Sequence, residues 1–316
     1  MCPMYLCVSK KSYYVFCVTK SSVKMSAEIL QLTLLFFLIA AVYASAGFGG
    51  GSSYLAVLSL FAIPMTAMKS TSLMCNIIVV AGGAYIFWQN GYFNVKKMLP
   101  LVLTSVPMAF LGGLMPIKER TFFLLLGTSL IVAAMLMLIQ NIFSEKKGTP
   151  QYFRVLGFEF RVLSLTNPKL VTQNSELPPQ YKTDFDDKNE SKNGFNALKD
   201  GIIGGLIGLL SGVVGIGGGI FLSPILNLSR WDTPKNVAAT ASFFILVNSI
   251  SGLAGQFWQH KFVADWSLSL PLLLAVFIGG QVGSRFSALK INALRVRQVT
   301  AVLVFYAGAN ILWNNF

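Results

Sequence analysis

Long apolar runs fill most of the chain, and two of them end in a cluster of glycines. The stretches Leu30 to Ala46, Thr121 to Phe143 and Leu268 to Gly283 contain no Asp, Glu, Lys or Arg. Runs approaching about 20 residues without charge are read as helices that cross a hydrocarbon core about 30 Å thick. The first helix is expected over residues 29–46, stopping at the first glycine cluster. A short apolar piece over 52–63 follows, ended by Pro64, and its length corresponds to about 18 Å of helix, too little to cross. Three full spans come next, over 67–89, 98–116 and 121–143. The pattern then restarts, with a helix over 201–214 that ends at the second glycine cluster and a short piece over 220–228. Spans over 236–258, 266–286 and 296–313 complete it.

The polar stretches divide this series. Residues 1–27 form an N-terminal tail, in which the apolar patch Tyr13 to Val18 is shorter than a signal-peptide core. Met25 opens a cleaner beginning and is an alternative start. Residues 28–143 form a first transmembrane repeat and 199–316 a second. Between them, 144–198 read as a polar linker, with Lys146, Lys147, Asp184, Asp186, Asp187, Lys188 and the pair Pro178-Pro179. The aromatic stretch Tyr152 to Phe160 is expected to lie on the membrane surface.

The halves also match residue by residue. Pro64 falls on Pro234, and Phe87-Trp88-Gln89 on Phe257-Trp258-Gln259, at a constant offset of 170. Gly82 and Gly113 fall on Gly252 and Gly283 at the same offset. Duplicated units with glycine-broken helices are the build of secondary transporters. If each first helix and short piece form a returning hairpin, three crossings remain per repeat, and an odd number inverts the second repeat. With the linker inside, Lys96-Lys97, Arg230, Lys235 and the segment Arg285 to Arg297 are inside too, as the positive-inside rule requires. Five crossings per repeat also give inversion but scatter the basic loops over both faces.

Composition supports an all-α integral protein of the cell membrane and excludes other classes. The chain is 54% hydrophobic and 12% charged, with mean hydropathy +0.63, against about 25% charged in soluble proteins. The net charge of +13 sits in loops and tail without any nucleic-acid motif. The four cysteines form no metal-binding pattern, and Cys75 reads as an apolar filler. No phosphate-binding G-x-x-x-x-G-K-[ST] loop, H-E-x-x-H or catalytic triad is present, and the single histidine, His260, lies at a loop edge. No enzyme, cofactor or metal is expected; the expected partners are the lipid bilayer and a small solute. Glu28, Glu119 and Asp265 all fall near span ends, and the absence of carboxylates within spans argues against a cation as solute.

The candidate chemistry lies in the glycine clusters. Gly47, Gly49, Gly50 and Gly51, with Gly215, Gly217, Gly218 and Gly219, can each break a helix and start another whose backbone N–H groups and dipole favour an anion. Such breaks are tolerated only inside protein or along a watery cavity. Ser52 and Ser53 add hydroxyls in the first half, where the second has Ile220 and Phe221. The third segments add Ser70, Thr71, Ser72 and Asn76, and Thr240, Ser242, Asn248 and Ser249. The competing reading is structural, with glycines for close packing and hydroxyls for helix–helix hydrogen bonds. Trp88 and Trp258 read as interfacial anchors, and Arg285 as a snorkelling residue.

Ser45-Ala46-Gly47-Phe48-Gly49-Gly50-Gly51, and Gly212-Val213-Val214-Gly215-Ile216-Gly217-Gly218-Gly219 with Ser223-Pro224, resemble the duplicated signature of the TauE/SafE family of sulfite and organosulfonate exporters. The resemblance covers both halves. Phe48 and the Ser52-Ser53 pair depart from the usual pattern, and the linker is longer than usual. It implies a polytopic permease for a small sulfur-containing anion, exported or imported. An anion channel and a non-transporting membrane subunit are the alternatives.

Overall fold

A computed structural model describes residues 22–45, 49–61, 63–89, 91–145, 197–260, 262, 265–286 and 293–315. Ten helices run through them: α1 (Ser22–Ser45), α2 (Gly51–Leu60), α3 (Met65–Gln89), α4 (Val95–Leu114), α5 (Glu119–Glu145), α6 (Ala197–Val214), α7 (Gly219–Leu228), α8 (Pro234–Trp258), α9 (Trp266–Phe286) and α10 (Ala293–Asn315). The described residues contain no strand. Six helices, α3, α4, α5, α6, α8 and α9, are long and apolar enough to cross a bilayer. Most of the tail and linker read from the sequence, including Tyr152 to Phe160, lies outside the described residues.

The starts of α4 and α8 are set by caps rather than by hydropathy. The Asn94 side chain accepts the Lys97 N–H (3.4 Å) and opens α4 three residues ahead of its apolar run. Thr233 accepts the Asn236 N–H (3.4 Å), with Pro234 at the first helical position, and does the same for α8.

The two halves are interleaved. The most extensive interfaces join α4 to α6, α1 to α9, α5 to α10, and α3 and α4 to α8. Glycine makes the first two possible. On α6, Gly204, Gly208 and Gly212 stand four residues apart and lay their backbone on Leu101, Ser105 and Ala109 of α4. On α9, Gly279 and Gly283 lie on Phe37 and Ala41 of α1. Small residues at this spacing let membrane helices approach closely. In both interfaces residue numbers rise together, so each pair is parallel.

The equivalent helices cross in the opposite sense. Gly127 of α5 meets Leu312 of α10, and Gly308 meets Leu130 and Ile131. Ser70, near the start of α3, donates to Gln256 Oε1, near the end of α8, at 2.9 Å. Both pairs are therefore antiparallel.

Each short helix folds back into the bundle. Gly49 lies beside Val80, and Gly51 beside Asn76, so the chain leaving α1 reverses along α3 before Pro64 starts the next span. The core draws on both halves, with Phe36, Tyr54, Phe122, Leu222 and Phe244 buried and Phe36 stacked on Tyr54 at 4.7 Å. Leu34, Leu38, Leu103, Leu206, Leu274 and Phe277 point outward and are exposed, an apolar surface that suits lipid. Trp88 and Trp258, at their helix ends, are 71% and 75% exposed.

Candidate functional site

Both short helices begin from a left-handed glycine. Gly50 precedes α2 with φ 77°, and Gly218 precedes α7 with φ 82°; neither helix has a side-chain cap. Gly215 and Gly217 are also left-handed. Other residues pay about 1–2 kcal/mol for this conformation. Close packing alone does not require it, so these glycines make turns as well as room.

The two breaks touch. Ser72 Oγ lies 3.0 Å from the Gly51 carbonyl and 3.2 Å from the Gly215 carbonyl, able to donate to either. Asn76 Nδ2 donates to the Ile216 carbonyl at 2.9 Å. A methyl group on Gly51 would collide with the Asn76 amide and the Ile216 carbonyl, and one on Gly217 would come within 2.7 Å of Asn76 Nδ2 and 3.1 Å of Ser249 Oγ. Gly49 packs against Asn76, Val80 and Ile245, and Gly219 against Ile245. Asn76 lies near the middle of α3, so the breaks meet well inside the bundle.

Not every candidate joins this cluster. Gly47 lies outside the described residues, as does the Arg285 side chain. Ser53 Oγ pairs with Tyr43 OH at 2.6 Å, next to the break, since both tyrosine rings, 43 and 54, border Gly50. Ser52 is buried with no partner for its hydroxyl. Thr71 faces α9, where its hydroxyl pairs with Ser269 Oγ at 3.2 Å. Ser242 donates to the Ala238 carbonyl one turn back, at 2.9 Å. Thr240 and Asn248 are buried on α8 with unpartnered polar atoms, while the α8 residues that border the breaks include Phe244, Ile245 and Ser249.

Several buried polar atoms around the breaks also lack a protein partner: Asn76 Oδ1, Ser249 Oγ, Ser211 Oγ beside Gly218, and Tyr54 OH beside Gly50. Buried polar groups are normally paired.

A lysine also lies on this face. Lys69 is 8% exposed, its stem packs on Gly215, and its Nζ sits 4.8 Å from the centre of the Phe122 ring. The signal for it was its position three residues before Ser72 and seven before Asn76, which places all three on one face. Among the described residues, Asp200 is the other buried charged side chain. It accepts the Trp231 Nε1–H at 3.0 Å in the first turn of α6, at the opposite end of the bundle.

Two uncapped helix starts, each carrying roughly half a positive charge, therefore lie on either side of the contact between Gly51 and the Ile216 carbonyl. Among the described residues no group of three His, Cys, Asp or Glu side chains could hold a metal.

Interleaved halves, apolar spans and broken helices that meet in the interior define a polytopic membrane transporter. Residues 32–311 match the family described as "Sulfite exporter TauE/SafE", and the chain belongs to that family. A protein of Sinorhizobium fredii (strain NBRC 101917 / NGR234) named "Probable membrane transporter protein y4hK" is 30% identical over 294 residues, covering 92% of this chain and 100% of that protein. No solved structure matches at a significant level.

Proposed function

We propose that this transporter carries a small oxyanion, sulfite or an organosulfonate, by alternating access between two inverted repeats. The observation that carries the reading is the contact between the two glycine breaks, bridged by Ser72 and Asn76. The substrate site comprises Gly49 to Gly51 and Gly215 to Gly219 with Ser72, Asn76 and Ser249. Ser53 of α2, paired with Tyr43, lies beside it at Gly50.

Inversion is supported by the crossing of equivalent helices. Two helices related by a two-fold axis and running antiparallel have that axis perpendicular to them. For membrane spans the axis then lies in the membrane plane, as inverted repeats require. The loops holding Lys97, Asp232 and Lys235 gather at one end, where Lys97 Nζ meets Asp232 Oδ2 at 3.4 Å and Lys235 Nζ lies over the Tyr92 ring. With Lys96, Lys199 and Arg230 on the same side, this end is cytoplasmic.

The test is flux of sulfite, sulfate, thiosulfate and sulfoacetate through the purified full chain in liposomes. Saturable flux of at least one, abolished in Gly218→Leu at unchanged protein level, is expected. A chain that moves none of them contradicts the proposal. Flux that does not saturate identifies a channel instead.

A further inference from the structure

We infer that the Tyr54 hydroxyl donates to the transported oxyanion and seats it at the start of α2 rather than at the start of α7. The inference rests on the anion-transport reading above and names the side chain that holds the anion. Tyr54 is fully buried, and its hydroxyl has no protein partner. A buried tyrosine hydroxyl normally finds one, and leaving it unpaired costs the fold stability. Packing does not call for the oxygen, because the ring is already stacked on Phe36 at 4.7 Å and phenylalanine would stack as well. The hydroxyl therefore has a use outside the bonding of the chain itself.

Its position supplies that use. Tyr54 stands one turn into α2, where its N–H donates to the Gly50 carbonyl at 3.0 Å. Its ring runs back to the helix start, so that a methyl on Gly50 would stand 3.0 Å from Cζ and 3.1 Å from the hydroxyl oxygen. Gly50 gives α2 no side-chain cap. An anion at this start meets the positive end of the helix dipole and an O–H with no other acceptor. The start of α7 is poorer in donors. Aligning Gly50 with Gly218 puts Leu222 in the place of Tyr54, and Ile220 and Phe221 in the places of Ser52 and Ser53. The unpartnered hydroxyl beside Gly218 is that of Ser211, which comes from α6 and whose Cβ lies 3.3 Å from a methyl placed on Gly218.

Tyr54→Phe removes the oxygen and keeps the ring. Wild type, Tyr54→Phe and Ser211→Ala are compared by sulfite flux in liposomes and by melting in detergent with and without sulfite. Another of the four anions replaces sulfite if the wild type carries only that one. Loss of a hydrogen bond to an anion is expected to raise the KM of Tyr54→Phe about tenfold or more, and Ser211→Ala is expected to raise it less. Without sulfite, Tyr54→Phe is expected to melt at or above the wild-type temperature, because it sheds an unsatisfied buried group. It is also expected to lose most of the stabilisation that sulfite gives the wild type. An unchanged KM in Tyr54→Phe overturns the inference. So does a lower melting temperature without sulfite, which means that the hydroxyl bonds within the protein or to a resident water. A larger KM rise in Ser211→Ala than in Tyr54→Phe moves the anion to the start of α7 and overturns it as well. All three results leave transport by the wild type intact. A wild type that moves no anion removes the transport reading and this inference together.

Discussion

Gly51→Ala separates the contact between the two breaks from every other role of the glycines. Gly51 opens α2 with ordinary helical backbone, so a single methyl adds no left-handed strain. That methyl would stand 2.5 Å from the Ile216 carbonyl oxygen and 2.8 Å from Asn76 Oδ1, so the two breaks must part by roughly 1 Å to restore normal contact. Overpacking of this kind costs about 1–3 kcal/mol. Loss of the Asn76 hydrogen bond to Ile216 adds about 1 kcal/mol, for a total of about 2–4 kcal/mol. If this falls on the anion-bound state, affinity drops about tenfold for each 1.4 kcal/mol, giving a KM at least about tenfold above wild type. Gly83→Ala is the control, because a methyl there meets nothing within 4 Å. The assay is sulfite flux in liposomes beside thermal unfolding in detergent. Gly83→Ala is expected to match wild type in both. Gly51→Ala at wild-type KM and stability would refute the reasoning, because it would mean that the breaks separate freely.

The remaining expectations concern the frame around the site. Ser72→Ala removes a donor shared by two break carbonyls and should lower thermal stability by about 1 kcal/mol together with sulfite affinity; an unchanged KM would place Ser72 outside the site. Gly208→Leu drives a side chain into the Ser105 backbone of α4 and should abolish monodisperse protein, whereas Gly205→Ala, whose methyl finds ordinary contact distances to Thr104 and Met108, should not. Lys97→Ala removes the ion pair with Asp232, but Lys97 is 40% exposed, so a melting shift equivalent to more than about 1 kcal/mol would contradict the weak surface pairing expected there.

Much of this architecture was written in the apolar pattern. Residues 266–286 were bounded correctly from hydropathy alone, and the short pieces after each glycine cluster appear as α2 and α7. Spans whose first turn is polar began earlier than their apolar runs, because Asn94 and Thr233 cap them ahead of the membrane core. The pairing of α4 with α6 and α1 with α9 was not legible. It depends on glycine spacing matched across more than 100 residues, as in Gly204 on Leu101, and no periodicity within one segment reports on that. The glycines, Ser72 and Asn76 were legible as candidates because broken helices need them. Ser249 lay nearer the break than Asn248 through helix rotation, which a run of adjacent polar residues does not define. Lys69 was not legible, because a lysine early in a span carries no mark of its depth in the sequence and only its packing on Gly215 places it inside.

The most direct test is the position of a bound anion. Crystals of the full chain grown with selenite, a heavier stand-in for sulfite, would locate it by anomalous scattering. The account predicts one peak between the starts of α2 and α7, within hydrogen-bonding distance of Asn76. A selenite peak at a distance from both glycine breaks, with the breaks unchanged, would contradict it.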